Sequence, residues 1–333
     1  MSKKFSLTSV GSPITDYLAR VDDDFLRQNV GGEKNGMRLI DSAQMAELLG
    51  KLPDGYVSAI GGAAMNTARA LARLGVATCG LGKLGNDETG RHYIKKMANA
   101  GVSPAKFKYA GFCPSARCLS LITPDAARTL RTDLGAASKL LSEDLVAADF
   151  ADTDYVYIEG YLLWNQPLAE RIFTLARDAD CEICLNFGSF EMVRQLRPQL
   201  QTWLRDYVGV VFGNLEEARE YFRDQDGNAK EMAQSLMTVC GCAAVTDGAN
   251  GAYIAESGKE TTHCPAQAPT ELVDTTGAGD FWAAGFLYGR IKNYDHARCG
   301  QIATALAREI IAVAGVELSA EKWEALRAEV SGS

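Results

Sequence analysis

No stretch of this 333-residue chain concentrates lysine or arginine, and its 34 basic side chains are outnumbered by 42 acidic ones, for a formal net charge of −8. A nucleic acid or an anionic membrane surface is therefore not the expected main partner. No apolar run reaches the ~18 residues of a membrane span. The opening residues M-S-K-K-F-S-L-T-S-V are too short and polar for a secretory leader and read as a first strand. A cytoplasmic location is the expectation. No internal repeat or low-complexity linker interrupts the chain, so one domain over residues 1–333 is expected. A G-x-x-x-x-G-K-[ST] phosphate loop is also missing. The nine cysteines show no zinc-site spacing: Cys181-x-x-Cys184 lies in the apolar run C-E-I-C-L-N-F, and Cys240-x-Cys242 has no partner pair. Buried free thiols in a reducing compartment are the expected state.

What is present is an ordinary globular composition, 47% hydrophobic and 23% charged, ample for a large α/β core. A strand over 5–10 leads into G-S-P-I-T-D, read as a turn carrying Asp16. Helical spacing follows at 42–49, at 61–75 behind two glycines, and at 88–100. Strands are expected at 76–81, 117–123 and 127–134, the last two joined as a hairpin. From residue 140 the periods alternate: helices at 142–148, 167–179, 190–205, 214–223 and 229–240, with strands at 155–158, 181–186, 207–212, 242–246 and 251–255. Helices close the chain after 280, 295 and 319. Repeated βα units predict a doubly wound, mostly parallel sheet with helices on both faces. Strand-like pieces at about 14–40 and 105–134 break that rhythm and read as a small β lid.

The most informative stretch is D-T-T-G-A-G-D, residues 274–280, followed by an apolar run. It reads as a glycine turn opening into a helix, with Ala283, Ala284 and Gly285 allowing close packing. The amides of Gly277, Ala278 and Gly279 fall at the helix start, where unpaired donors and a partial positive charge suit an anion. Asp280 sits in the same place. Its carboxylate could simply cap the helix. It would be poorly placed for plain anion binding, but well placed to take a proton from a hydroxyl attacking a phosphorus held by those amides.

Other stretches carry a bland reading beside a chemical one. Gly61 and Gly62 let a ligand approach the backbone, with Asn66 one turn on able to donate and accept; they could equally be a loop before an alanine-rich core helix. Asp16 could bind two neighbouring hydroxyls or serve only its turn. Asn214 and Glu217 form a capping-box pattern. Thr246, Gly248 and Gly251 occupy V-T-D-G-A-N-G between two strands. Trp164, Phe187 and Phe190 are candidates to stack on a base or to fill the core. The run Gly80-L-G-K-L-G85 spells G-x-G-x-x-G, yet N-D-E-T-G intervenes before the helix and no acidic residue stands ~20 positions on, against a dinucleotide site.

Taken together these strings resemble the PfkB (ribokinase-like) family of sugar and nucleoside kinases. D-T-T-G-A-G-D resembles its C-terminal signature, Gly82-K-L-G-N-D-E-T-G90 its G-x-x-G-x-D-x-x-G pattern, and G-G-A-A-M-N-T-A its substrate motif. G-S-P-I-T-D resembles the start of adenosine kinases and their bacterial relatives. The resemblance implies Asp280 as catalytic base, with Gly277, Ala278 and Gly279 as anion hole. It implies Asp16, Gly61, Gly62 and Asn66 on the sugar. It implies Asn214, Glu217, Thr246, Gly248, Gly251 and, with Ala303 beside it, Thr304 on ATP. It also implies that Glu217 acts on Mg²⁺, largely through water, while Asp247 would repel the phosphates unless it points to solvent. The implied activity is ATP- and Mg²⁺-dependent phosphorylation of a primary hydroxyl on a ribosyl nucleoside. The alternatives are a kinase of a free sugar such as ribose or fructose, and a non-catalytic binding protein on the same fold. Monomer and lid-mediated dimer both stay open.

Overall fold

Strand β1 (Phe5–Val10) is third from one edge of a nine-stranded sheet, and the chain winds outward from it in both directions. The computed structural model describes residues 3–125 and 127–331. The first two residues of the opening segment, residue 126 in the expected hairpin turn and the last two residues lie outside the described residues. After β1 come β2 (Ile14–Arg20), α1 (Asp23–Asn29), β3 (Met37–Leu39), α2 (Ser42–Lys51) and β4 (Val57–Gly61). Next are α3 (Ala63–Arg73), β5 (Thr78–Leu81), β6 (Lys83–Gly85), α4 (Glu88–Asn99), β7 (Val102–Ser103) and β8 (Lys108–Ala110). The hairpin β9 (Ala116–Ile122) and β10 (Arg128–Asp133) follows. Then β11 (Thr153–Glu159), α5 (Gln166–Asp178), β12 (Glu182–Asn186), α6 (Phe190–Asp206), β13 (Val210–Asn214), α7 (Leu215–Phe222) and α8 (Ala229–Cys240) continue the alternation. The chain ends with β14 (Cys242–Thr246), β15 (Ala252–Glu256), β16 (Thr262–Cys264), α9 (Ala278–Ile291), α10 (His296–Ile310) and α11 (Ala320–Ser331).

The sheet order is β16-β15-β14-β13-β12-β11-β1-β5-β7, with the β15 pairs antiparallel and the rest parallel. Successive strand residues feed opposite helix layers: Ala243 and Val245 pack with α5, α6 and α8, whereas Cys242 and Ala244 pack with α3, α9, α10 and α11. This period of two, apolar on both faces, is what a sheet covered on both sides requires. The direction of winding reverses between β1 and β11. The connections that leave their carboxyl ends part there, the place where open α/β sheets form a ligand-binding crevice.

A second sheet, ordered β3-β10-β9-β2-β4, stands over that crevice. One face of β2 (Tyr17, Ala19) packs on α1 and α2 in a core with Leu26, Met45 and Leu119. The opposite face carries Ile14, Asp16 and Leu18. In register, Asp16 lies between Ala59 of β4 and Cys118 of β9, and Cys118 faces Thr132. Arg128 has the same parity as Thr132, so it shares the Asp16 face.

The structure corrects several sequence expectations. Asp16 lies inside a strand rather than a turn, because β2 is zipped between two neighbours. Segment 17–40 contains helix α1, capped by the Asp22 side chain on the Phe25 amide. The second sheet also takes β4, outside the expected segments, while residues 108–110 pair with β6 instead. The expected helix at 142–148 is two single 3₁₀ turns. The expected strand at 207–212 runs from 210 to 214, with Tyr207 ending α6. All nine cysteines are free thiols, six of them buried. Among the described residues no helix is long and apolar enough to cross a membrane.

Candidate active site

The turn before α9 depends on Gly277, whose φ of +79° is left-handed and whose added Cβ would lie 2.6 Å from Val316 Cγ1. Asp274 fixes the other end. Its Oδ1 accepts from the Thr276 amide at 3.0 Å, and its Oδ2 accepts from the Gly315 amide at 3.0 Å and from Arg128 Nη1 at 2.8 Å. Arg128 also donates to Thr276 Oγ1 at 3.0 Å, tying the second sheet to this loop. The amides of Gly277 and Gly279 have no protein acceptor among the described residues, while that of Ala278 makes a 3.2 Å turn bond to the Thr275 carbonyl. Two of the three expected anion-hole donors are thus open and the third is partly used. Small residues seat α9: an added Cβ on Gly285 would meet Ala303 Cα at 2.5 Å. Ala303 is consequently a packing residue, not part of a ligand pocket.

Asp280, on the first turn of α9, points into the crevice. Its Oδ2 accepts from Asn66 Nδ2 at 2.9 Å, and its carbonyl accepts from Thr67 Oγ1 at 3.1 Å. Desolvation pushes its pKa up to about 7; the Asn66 bond opposes the rise, the nearby Glu159 charge adds to it, and Arg69 opposes it. A carboxylate so placed is a base poised near neutral pH.

Asn66 has a task beyond its expected one. It is buried at 5% exposure, and both sides of its amide are taken, since Oδ1 accepts from Arg69 Nη2 at 2.7 Å. It orients Asp280, and its second Nδ2 hydrogen stays free for a sugar hydroxyl. Arg69, absent from the sequence reading, is held by the Ile60 carbonyl at 3.0 Å and the Val316 carbonyl at 3.3 Å.

Asp16 is the converse case. It is only half-buried, yet its carboxylate receives no hydrogen bond from any described residue. Burial pushes its pKa up to about 6, with Arg69 and Arg128 pulling it down. The double glycine makes room around it. A Cβ on Gly61 would lie 2.2 Å from Asp16 Oδ2, and one on Gly62 (φ +99°) 2.1 Å from the Ser12 carbonyl. Tyr93 Oη steadies the loop through the Gly61 carbonyl at 2.7 Å. We expect Gly62→Ala to lower folding stability by ~1–3 kcal/mol, from left-handed strain plus the backbone clash; urea unfolding measures it.

Glu159, also missed from sequence, is buried at the carboxyl end of β11, at the point where the winding reverses. Its Oε2 accepts from the Ala64 amide at 3.3 Å and the Ser12 amide at 3.4 Å, so it ties the start of α3 to the β1–β2 turn. Burial raises its pKa against the pull of those amides.

On the other side of the 277–279 turn lies a cavity of about 520 Å³. Thr246, Gly248, Gly251 and Thr304 line it together with Ala278 and Gly279. The sequence reading missed its remaining walls, notably Pro269, Leu272, Trp282 and Arg308. Asp247 does not line the cavity; its Oδ2 accepts from Asn250 Nδ2 at 3.0 Å. Asn214 and Glu217 are outside the lining too, but β13–β14 register sets Asn214 beside Thr246. Their capping box is present: Glu217 Oε2 accepts from the Asn214 amide at 2.9 Å and Asn214 Oδ1 from the Glu217 amide at 2.8 Å. Phe187 is fully buried and stacks on Tyr221; Phe190 lies under Arg194; Trp164 is exposed. Phe187 is therefore core.

Among the described residues, no three His, Cys, Asp or Glu side chains cluster to hold a metal. Glu217 offers one hard oxygen not used by the cap. Burial drives its pKa up to about 7, and Glu216 and Glu191 add to the rise. A cation there would relieve that charge. This donor set fits Mg²⁺, which keeps waters and takes one or two carboxylates alongside phosphates.

The profile of the pfkB family carbohydrate kinases matches residues 32–323. A probable sugar kinase from Rhizobium etli CFN 42 superposes with a TM-score of 0.85 at 30% identity, covering 99% of both chains. Adenosine kinase from Sinorhizobium meliloti gives a TM-score of 0.84 at 30% identity, covering 98% of this chain and 99% of that one. Adenosine kinase 2 of Arabidopsis thaliana is 25% identical over 313 residues, 88% of this chain and 90% of its own.

Proposed function

The chain belongs to the pfkB family of carbohydrate kinases, phosphotransferases with an alcohol group as acceptor, and we propose that it transfers the γ-phosphoryl group of ATP to a primary hydroxyl of an adenosine-like ribosyl nucleoside. The observation that carries this reading is the Asp280 carboxylate, held by Asn66 beside two open amides, with the unpaired Asp16 on the sheet above.

In this reading Asp16 accepts from the vicinal hydroxyls of the ribose and fixes its orientation. Asn66 and Thr67 hold Asp280 so that its free oxygen meets the primary hydroxyl and takes the proton as the oxygen attacks phosphorus. The amides of Gly277 and Gly279 receive charge developing on the transferring group. The triphosphate runs from this turn into the cavity lined by Thr246, Gly248 and Gly251, with the base toward Thr304. Glu217, with Asn214 next to it, would hold Mg²⁺ jointly with the phosphates; when bound, the ion neutralises their charge. Positioning and electrostatics carry the rate in such a site.

The second sheet serves as a lid within a single kinase domain, and its closure excludes water that would hydrolyse ATP. Its inner face favours a nucleoside over a free sugar. Beside Asp16 it offers Ile14, Leu18, Ala59 and the exposed Val57, and beyond Cys118, Ser120 and Thr132 the exposed Met37 and Leu39, apolar patches suited to a base rather than to a ring of hydroxyls.

ADP release with Mg-ATP and a panel of adenosine, other nucleosides, ribose and fructose tests the reading. Adenosine should surpass ribose in kcat/KM; preference for a free sugar would overturn the nucleoside assignment. The pH dependence follows from the two carboxylates. Asp280 is raised to about 7, so its neutral form accumulates below that pH and the base is lost. Asp16 follows at about 6. We expect log kcat/KM for the acceptor to fall with unit slope below about pH 7 and to steepen below about pH 6.

A further inference from the structure

Behind Asn66, on the side away from the nucleotide cavity, lies a smaller cavity of about 180 Å³ that the proposed reaction does not use. Its back wall is apolar, with Phe281 stacked on Trp323 at 5.9 Å between centroids. Three cations line it: Arg69 and Arg73, one turn apart on α3, and Lys96 on α4. The exposed Glu317 is the one acidic side chain in the lining.

The three cations are short of partners. Arg69 is 8% exposed, and all three of its side-chain hydrogen bonds come from Nη2. Its Nε is buried with no acceptor among the described residues, and Nη1 forms no hydrogen bond with them. Neither the Arg73 nor the Lys96 side chain makes a hydrogen bond or ion pair with a described residue. Arg73 and Lys96 are partly exposed, but Arg69 is buried, and buried charged donors are normally paired. A free guanidinium nitrogen with two more cations around it matches the charge of an oxyanion.

We propose that this cavity binds a small oxyanion, a phosphate or a carboxylate, and that its occupancy reaches Asp280 through Arg69 and Asn66. The path is two hydrogen bonds long: Arg69 Nη2 to Asn66 Oδ1 at 2.7 Å, then Asn66 Nδ2 to Asp280 Oδ2 at 2.9 Å. An anion on Nη1 fixes the guanidinium that holds Asn66. It also offsets a positive charge behind the carboxylate. Glu317 competes with the ligand for the same cations. The site itself does not depend on the kinase reading; only its effect on turnover does.

Equilibrium dialysis of sulfate and of benzoate, with Mg²⁺ and the non-hydrolysable analogue AMP-PNP filling the nucleotide site, tests the proposal. Wild type should bind one of these anions, Arg73→Ala/Lys96→Ala should bind it at least about tenfold more weakly, and Glu317→Gln should bind it more tightly. Tighter sulfate identifies a phosphate-like ligand, and tighter benzoate identifies a carboxylate seated on the aromatic wall. Equal binding by wild type and the double variant, or by neither, overturns the site. The bound anion should also change kcat/KM in wild type and leave the double variant unaffected. Binding without that kinetic difference overturns the connection to Asp280. If no substrate is turned over at all, the dialysis still decides the site.

Discussion

Asp280→Asn should lower turnover by ~10²–10⁴-fold while the protein folds normally. The amide keeps the shape and can still accept from Asn66 Nδ2, so the loss isolates the proton-accepting step. The same substitution should stabilise the fold at alkaline pH. Desolvation lifts the Asp280 pKa from 3.8 to about 7, so the unfolded chain ionises first and stability falls as pH rises between those values. At about pH 8 the charge is a full burden, of a few kcal/mol by the conversion of ~1.4 kcal/mol per pH unit. The substitution removes it. The gain in stability over wild type should shrink as the pH is lowered through 7 and vanish near 4, which thermal unfolding at several pH values measures. A variant both inactive and more stable is the signature of a site that holds a strained charge for chemistry.

Asp16→Ala should reduce kcat/KM for the acceptor by ~10²–10⁴-fold, the worth of two hydrogen bonds to a charged acceptor at ~1.5–3 kcal/mol each. The carboxylate has no protein donor, so its removal strands nothing and the fold should persist. If the diol is held equally in the ground and transition states, most of the loss falls on KM. A double cycle sharpens the test: 2′-deoxyadenosine should be a poor substrate for wild type, and that penalty should largely disappear in Asp16→Ala. An undiminished penalty would show that the ribose diol is read elsewhere.

The parts of the molecule legible from sequence are those whose signals are local. Helix α8 and strand β14 lie at the expected residues, because Asn228 and Glu231 form a reciprocal cap before an apolar period and Gly241 ends it. The D-T-T-G-A-G-D turn was legible for the same reason: its left-handed glycine, its small-residue packing and its carboxylate follow one another in the chain. Where tertiary pairing decides, local reading failed. Asp16 follows a proline and is a poor strand former, yet β4 and β9 flank it and make a strand. Strand β4 was lost in the glycine loop it runs into. Helix α1 carried a usable signal, Asp22 followed by two acids in the first turn, but it is short and bounded by Gly31–Gly32. Glu159 had a weaker one, a carboxylate ending an otherwise apolar strand. Arg69 had none: only the folded chain shows that it stands behind Asn66, or that Asn66 faces a carboxylate 214 residues away.

The central claim is that Asp280 delivers an acceptor hydroxyl to the γ-phosphorus. Following the ³¹P resonances of Mg-ATP with adenosine and the enzyme tests it most directly. The account predicts that the γ-phosphoryl signal passes to a phosphomonoester on the 5′ oxygen, and that Asp280→Asn slows this by ~10²–10⁴-fold at unchanged ATP binding. Release of the signal as inorganic phosphate regardless of acceptor, or transfer at a normal rate by Asp280→Asn, would contradict it.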